Sequence, residues 1–216
     1  MTSILFGSIG SIAETSEISR ESFNEAFSAH DLDWRWDRDE YKSMLERSGG
    51  ARRVAEYAES KGEEVDADAV HATKSELFQK KLRESTLEPR RGVAETIEAA
   101  KQRDQKLALV TTTAAGNIDA VFEAVSEKVD RDSFDLIVDV SEVDERKPDP
   151  ASYRYALDEL GVNAADCIAL EDNANGVEAA VAAGIETLAF PGENTTGHQF
   201  EGASRVVSEL DPAELR

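Results

Sequence analysis

Short runs of apolar residues recur along the chain at Ser3–Phe6, Leu107–Thr111, Leu136–Val140, Cys167–Leu170 and Glu186–Phe190. Each run is too brief for an ordinary helix and largely continuous rather than alternating, the pattern of a strand buried on both faces. Between the runs the apolar positions shift to helical spacing. Val93–Arg103 precedes the second run and Ala114–Val125 follows it; Ala151–Leu160 stops at Gly161, and Gly176–Ala183 stops at Gly184. Glycine directly after a periodic segment is a helix C-terminal signal, because it adopts the left-handed conformation without a Cβ penalty. Strands alternating with helices through short loops predict βα units on a parallel sheet. Arg205-Val206-Val207 is expected to add a last short strand.

The stretch 16–88 breaks this rhythm. It offers no strand, only helical spacing at Glu17–Ala29, Arg38–Leu45, Ala51–Ser60 and Ala67–Arg83, punctuated by Gly49-Gly50 and Gly62. An all-helical segment placed after the first strand of a parallel sheet reads as an inserted cap. The expected organisation is an α/β core, residues 1–15 and 89–216, with a helical cap at 16–88. Trp34 and Trp36 are expected to pack the cap helices.

Composition adds a charge anomaly. The 216 residues carry 45 Asp and Glu against 24 Lys and Arg, a net charge of −21, and the acids are spread along the whole chain. That distribution describes a solvated acidic shell around a folded protein. It resembles proteins of salt-accumulating halophilic archaea, and it opposes nucleic acid or an anionic membrane as partner. No run approaches the roughly 18 apolar residues of a membrane span. The N-terminus has no basic leader, and the one cysteine, Cys167, leaves no internal disulfide. A cytoplasmic protein is the expectation.

The candidate chemistry falls at strand ends, where ligands bind open α/β sheets. Val110-Thr111-Thr112-Thr113 leads into a helix, so hydroxyls and free N–H groups converge on a place suited to phosphate. Arg146-Lys147-Pro148-Asp149-Pro150 presents a lysine on a stiff turn, and Leu170-Glu171-Asp172-Asn173 presents adjacent carboxylates of the kind that ligate Mg²⁺. Taken singly, threonines cap helices, lysines are solvated and acids favour turns. In this order and spacing the three resemble motifs two to four of the haloacid dehalogenase superfamily, in its β-phosphoglucomutase and sugar-bisphosphate phosphatase branch. Ala13-Glu14-Thr15, Trp34-Arg35-Trp36-Asp37, Gly49-Gly50 and the loop 192–200 extend the likeness over the chain. The resemblance implies a Rossmann-like core with a substrate-selecting lid. It also implies phosphate held by Thr111, Thr112 and Lys147, metal held by Glu171 and Asp172, and substrate contacts from Glu14, Arg53 and Lys74.

The first motif departs from that pattern. Where the family carries Asp-x-Asp-Gly-Thr/Val-Leu, this chain reads Gly7-Ser8-Ile9-Gly10-Ser11-Ile12. In the family the first aspartate attacks phosphorus and ligates Mg²⁺, and the second transfers protons. Gly7 has no nucleophile and Ile9 no proton. A weakened Mg²⁺ site made of Glu171, Asp172 and the Ile9 carbonyl is the expectation. Ser8 and Ser11 are poor substitutes, Ser8 being expected to face away from the site, and neither has an evident base among His30, His71 and His198. Ala51 stands where related caps often carry lysine. Three readings remain: a phosphosugar-binding protein impaired or inactive as a phosphatase or mutase, a hydrolase using metal-activated water, or an interaction module with no ligand.

Overall fold

A computed structural model describes residues 2–45 and 49–215. Six parallel strands form one sheet in the order β3-β2-β1-β4-β5-β6. They are β1 (Ser3–Phe6), β2 (Leu107–Val110), β3 (Leu136–Val138), β4 (Cys167–Glu171), β5 (Glu186–Ala189) and β6 (Arg205–Val206). Four helices follow β1: α1 (Ser16–Ala29), α2 (Arg38–Met44), α3 (Gly50–Lys61) and α4 (Ala67–Arg83). The core helices are α5 (Val93–Gln102), α6 (Ala115–Val125), α7 (Ala151–Leu160) and α8 (Ala174–Ala182).

Strand parity explains the two layers around the sheet. Successive side chains point to opposite faces. Ile4, Phe6, Leu107 and Leu109 therefore join Ile97 of α5 and Ile118 and Phe122 of α6 in one cluster. Leu5, Ala108, Val110 and Ala169 join Tyr153 and Ala156 of α7 and Ala179 and Ala180 of α8 on the other face. The expected strands and helices all form, with no bound shifted by more than two residues. Two bounds move by two residues: β3 ends at Val138, and α8 begins at Ala174 because the Asn173 side chain accepts the Gly176 N–H at 2.9 Å. That cap satisfies an otherwise orphaned donor and fixes the helix start.

The helices α1–α4 own a separate apolar cluster built on Phe23, Phe27, Trp34, Trp36, Tyr41, Val54 and Val70. Trp36 stands edge-on to Phe27 at 4.6 Å between ring centroids, so both tryptophans are packing residues. The chain leaves the sheet beside the place where it returns, through a bridge between Ala13 and Pro89. Along α4, Phe78 and Leu82 pack on Ala120, Val121 and Ala124 of α6.

Candidate active site

The carboxyl ends of β1, β2 and β4 open into a cleft of ≈ 840 Å³ beneath α1, α3 and α4. Its lining includes Gly7, Ile9, Glu14, Arg53, Lys74, Thr111, Thr112, Lys147 and Asp172. Every site residue expected from the sequence is therefore brought to one cavity except Glu171, which is wholly buried and contributes no surface to the cleft.

Glu171 lies directly under Gly7. A Cβ built on Gly7 would fall on the Glu171 carboxyl group and the Tyr153 hydroxyl, and a Cβ on Gly176 would meet the same carboxyl group from the other side. The carboxylate fills the space that a side chain at position 7 would need. Its Oε1 accepts the Tyr153 hydroxyl at 2.7 Å and Lys147 Nζ at 2.6 Å. Burial pushes the Glu171 carboxyl up in pKa while the Lys147 ammonium opposes that shift. The lysine has two further acceptors, the Gly7 carbonyl at 2.5 Å and the Val110 carbonyl at 2.7 Å. An ammonium has three hydrogens, so all three of Lys147 are engaged within the protein. The amine still reaches the cleft floor, but as the centre of a closed buried network.

At the end of β2 the Thr111 hydroxyl accepts the Thr113 N–H at 3.2 Å, leaving its own hydrogen for a ligand. Asn117 donates to the Thr113 hydroxyl at 3.0 Å, and Gln79 of α4 donates to Asn117 at 3.0 Å. This relay ties the helix above the cleft to the loop below it. The loop leads into α6, whose first N–H groups lack intrahelical partners and favour an anion.

On the segment after β1, Ser8 and Ser11 cap a turn of 3-10 helix reciprocally. Ser8 Oγ accepts the Ser11 N–H at 3.0 Å, and Ser11 Oγ donates to the Ser8 carbonyl at 2.6 Å. Ser8 itself keeps an extended backbone, with φ −158° and ψ 164°, and is among the residues that line the cleft. The Ile9 carbonyl accepts the N–H groups of Ile12 and Ala13 at 3.1 and 3.2 Å. Asp172 presents its carboxylate against Gly10 and accepts from Asn173 at 2.7 Å.

The roof of the cleft is cationic. Lys74 is buried with its ammonium 4.4 Å from the Phe78 ring centre and 5.0 Å from that of Phe23. Burial, with Arg53 adding to it, pushes this amine down to about 7. Arg53 donates to the Met44 carbonyl at 3.1 Å and lies over the Tyr41 ring. His71 also lines the cleft and is pushed down to about 4, mainly by burial and then by Lys74, so it is neutral at ordinary pH. Glu14 is fixed at the rim by Ser16, whose hydroxyl donates at 2.6 Å, and by the Glu193 N–H at 2.8 Å.

Two residues that sequence reasoning missed hold this arrangement together. Tyr153 was legible only as a core position of α7. Arg90 donates to the carbonyls of Gly10, Phe190 and Pro191 at 3.1, 2.7 and 2.7 Å and stacks on Phe190 at 3.4 Å. It clasps the segment after β1 to the loop after β5.

Residues 4–190 match the haloacid dehalogenase-like hydrolase family, and the chain belongs to that family. Among its relatives is the protein CbbY of Cereibacter sphaeroides, 39% identical over 98% of this chain and 93% of that one. The plasmid-borne CbbY of Cupriavidus necator is 36% identical over 99% and 88%. The crystal structure of CbbY from Rhodobacter sphaeroides in complex with phosphate superposes with a TM-score of 0.88 at 36% identity, covering 97% of this chain and 94% of that one. A mutant of the same protein was solved with xylulose-(1,5)bisphosphate and matches equally well. A β-phosphoglucomutase from Clostridium difficile, 19% identical with a TM-score of 0.77, shares the fold.

Proposed function

We propose that this protein binds a phosphorylated sugar in the cleft between its parallel sheet and its helical lid, and is impaired or inactive as a phosphatase or mutase. The observation that carries the reading is at position 7. A family hydrolase needs a carboxylate there as nucleophile; this chain has glycine, and the vacated space holds Glu171 in an internal ion pair. At position 9 the isoleucine side chain packs against the apolar core instead of offering a proton.

Ligand binding keeps its support. Thr111 and the start of α6 face the cleft floor, while Arg53 and Lys74 face it from the lid. Two anionic ends separated by a short polar chain match that distribution, and the related CbbY crystallised with a pentulose bisphosphate makes a five-carbon ketose bisphosphate the first ligand to try. Glu14 at the rim is placed to accept from a sugar hydroxyl.

The test is a titration of the full chain with xylulose 1,5-bisphosphate by calorimetry, with phosphate release followed in parallel across sugar mono- and bisphosphates. Binding without release is expected. Sustained phosphate release would overturn the inactivity, and absence of binding across the panel would favour an interaction module.

A further inference from the structure

The three oxygen donors expected to hold Mg²⁺ do not meet at one point. Glu171 is sealed behind Gly7 and paired with Lys147 and Tyr153; its second oxygen, which has no hydrogen-bond partner, faces Gly176 rather than the cleft. The Ile9 carbonyl has both lone pairs committed to Ile12 and Ala13. Only the Asp172 carboxylate remains in the cleft, and among the described residues no group of three or more His, Cys, Asp or Glu side chains surrounds a common centre. Mg²⁺ demands near-octahedral oxygen geometry and gives up water reluctantly, so one carboxylate at the lip of a cleft does not hold it.

We infer that this cleft takes its phosphate ester without a divalent cation, the Thr111 hydroxyl and the unpartnered N–H groups at the start of α6 meeting the phosphate at the floor. The Lys147 network is complete in itself. Glu171 occupies the space that a side chain at position 7 would need and satisfies Lys147 in the same arrangement. A donor committed in this way is unavailable to a metal. With no cation between them, Asp172 and a phosphate on Thr111 repel each other, which reverses the expected sign of a substitution at Asp172.

The inference rests on the phosphosugar reading only for the second arm of its test. The first arm uses the metal alone: Mn²⁺ is titrated into the full-length protein and followed by electron paramagnetic resonance. No specifically bound Mn²⁺ through the millimolar range is expected; a bound signal that Asp172→Asn abolishes overturns the inference. In the second arm xylulose 1,5-bisphosphate is titrated in EDTA and in Mg²⁺. Affinities agreeing within about twofold are expected, and Asp172→Asn should tighten binding by removing a like charge. Mg²⁺-enhanced affinity of about tenfold or more, or weaker binding by Asp172→Asn, overturns it. Absence of sugar binding in both buffers defeats the phosphosugar reading and leaves the Mn²⁺ result to decide the metal question.

Discussion

Gly7 and Glu171 occupy complementary volumes: the carboxyl group of one stands where the Cβ of any other residue at the first position would stand. Gly7→Ala should therefore destabilise the fold by about 1–3 kcal/mol through overpacking, although Gly7 has no positive φ to protect. Urea denaturation checks this. An unchanged midpoint would mean that Glu171 moves aside freely. The same relationship predicts that Gly7→Asp/Ile9→Asp fails to restore turnover unless the Glu171 side chain is shortened as well, which an assay of phosphate release on the double and triple variants would read.

Lys147 and Glu171 form the buried ion pair of the core, with side chains 4% and 0% exposed. Breaking such a pair costs more than the pair is worth, because the survivor keeps a desolvated charge. Glu171→Gln should cost about 3–5 kcal/mol, and Lys147→Met combined with Glu171→Gln should recover a large part of that loss. A double-mutant cycle by chemical denaturation measures the coupling; strict additivity would show that the pair is not ionised.

The buried lysine of α4 makes stability depend on pH. Lys74 titrates at about 7 in the folded protein against an ordinary 10.5. Between these values the unfolded chain binds the extra proton, so this residue makes stability rise with pH across that window. Lys74→Met should flatten the rise and increase stability at the acid end, as denaturation curves at stepped pH would show. Phosphosugar affinity should move the opposite way, falling as pH climbs through about 7 and the ammonium is lost. A pH-independent affinity would place the ligand away from Lys74.

A net charge of −21 on 216 residues makes self-repulsion a bulk cost of folding. Screening lengths shrink from about 10 Å at 0.1 M salt to about 3 Å at 1 M. The melting temperature should therefore rise between those conditions in potassium chloride. A fall would show that surface pairs such as Lys81–Glu25 outweigh the repulsion.

Much of this architecture was legible beforehand because buried parallel strands read as unbroken apolar runs and two of the helices between them, α7 and α8, stop at glycines. The convergence of Thr111, Lys147 and Asp172 followed from strand ends alone. The direction of Glu171 did not, yet parity contained it. Glu171 shares its face of β4 with Cys167 and Ala169, the face covered by α7 and α8. A carboxylate on that face needs a buried partner, which Tyr153 and Lys147 provide. Lys74 had a similar signal: Val70, Lys74, Phe78 and Leu82 recur at intervals of four and are all buried, so the lysine lies inside an apolar stripe. The tie made by Arg90 joins segments 80 and more residues apart and had no local signature.

The bridge between Ala13 and Pro89 also fixes where α1–α4 join the sheet. Both chain crossings lie side by side, and Phe78 and Leu82 rest on the small side chains Ala120 and Ala124. Beside this contact, which also includes Val121, Gln79 of α4 donates to Asn117 of α6. The Gln79–Asn117 pair is not the sole tie: Arg83 donates to Glu123 between the same helices, and Arg38 and Glu17 join α1 and α2 to Glu193 and Asn194, so α1–α4 are fastened to the sheet layer at several polar points.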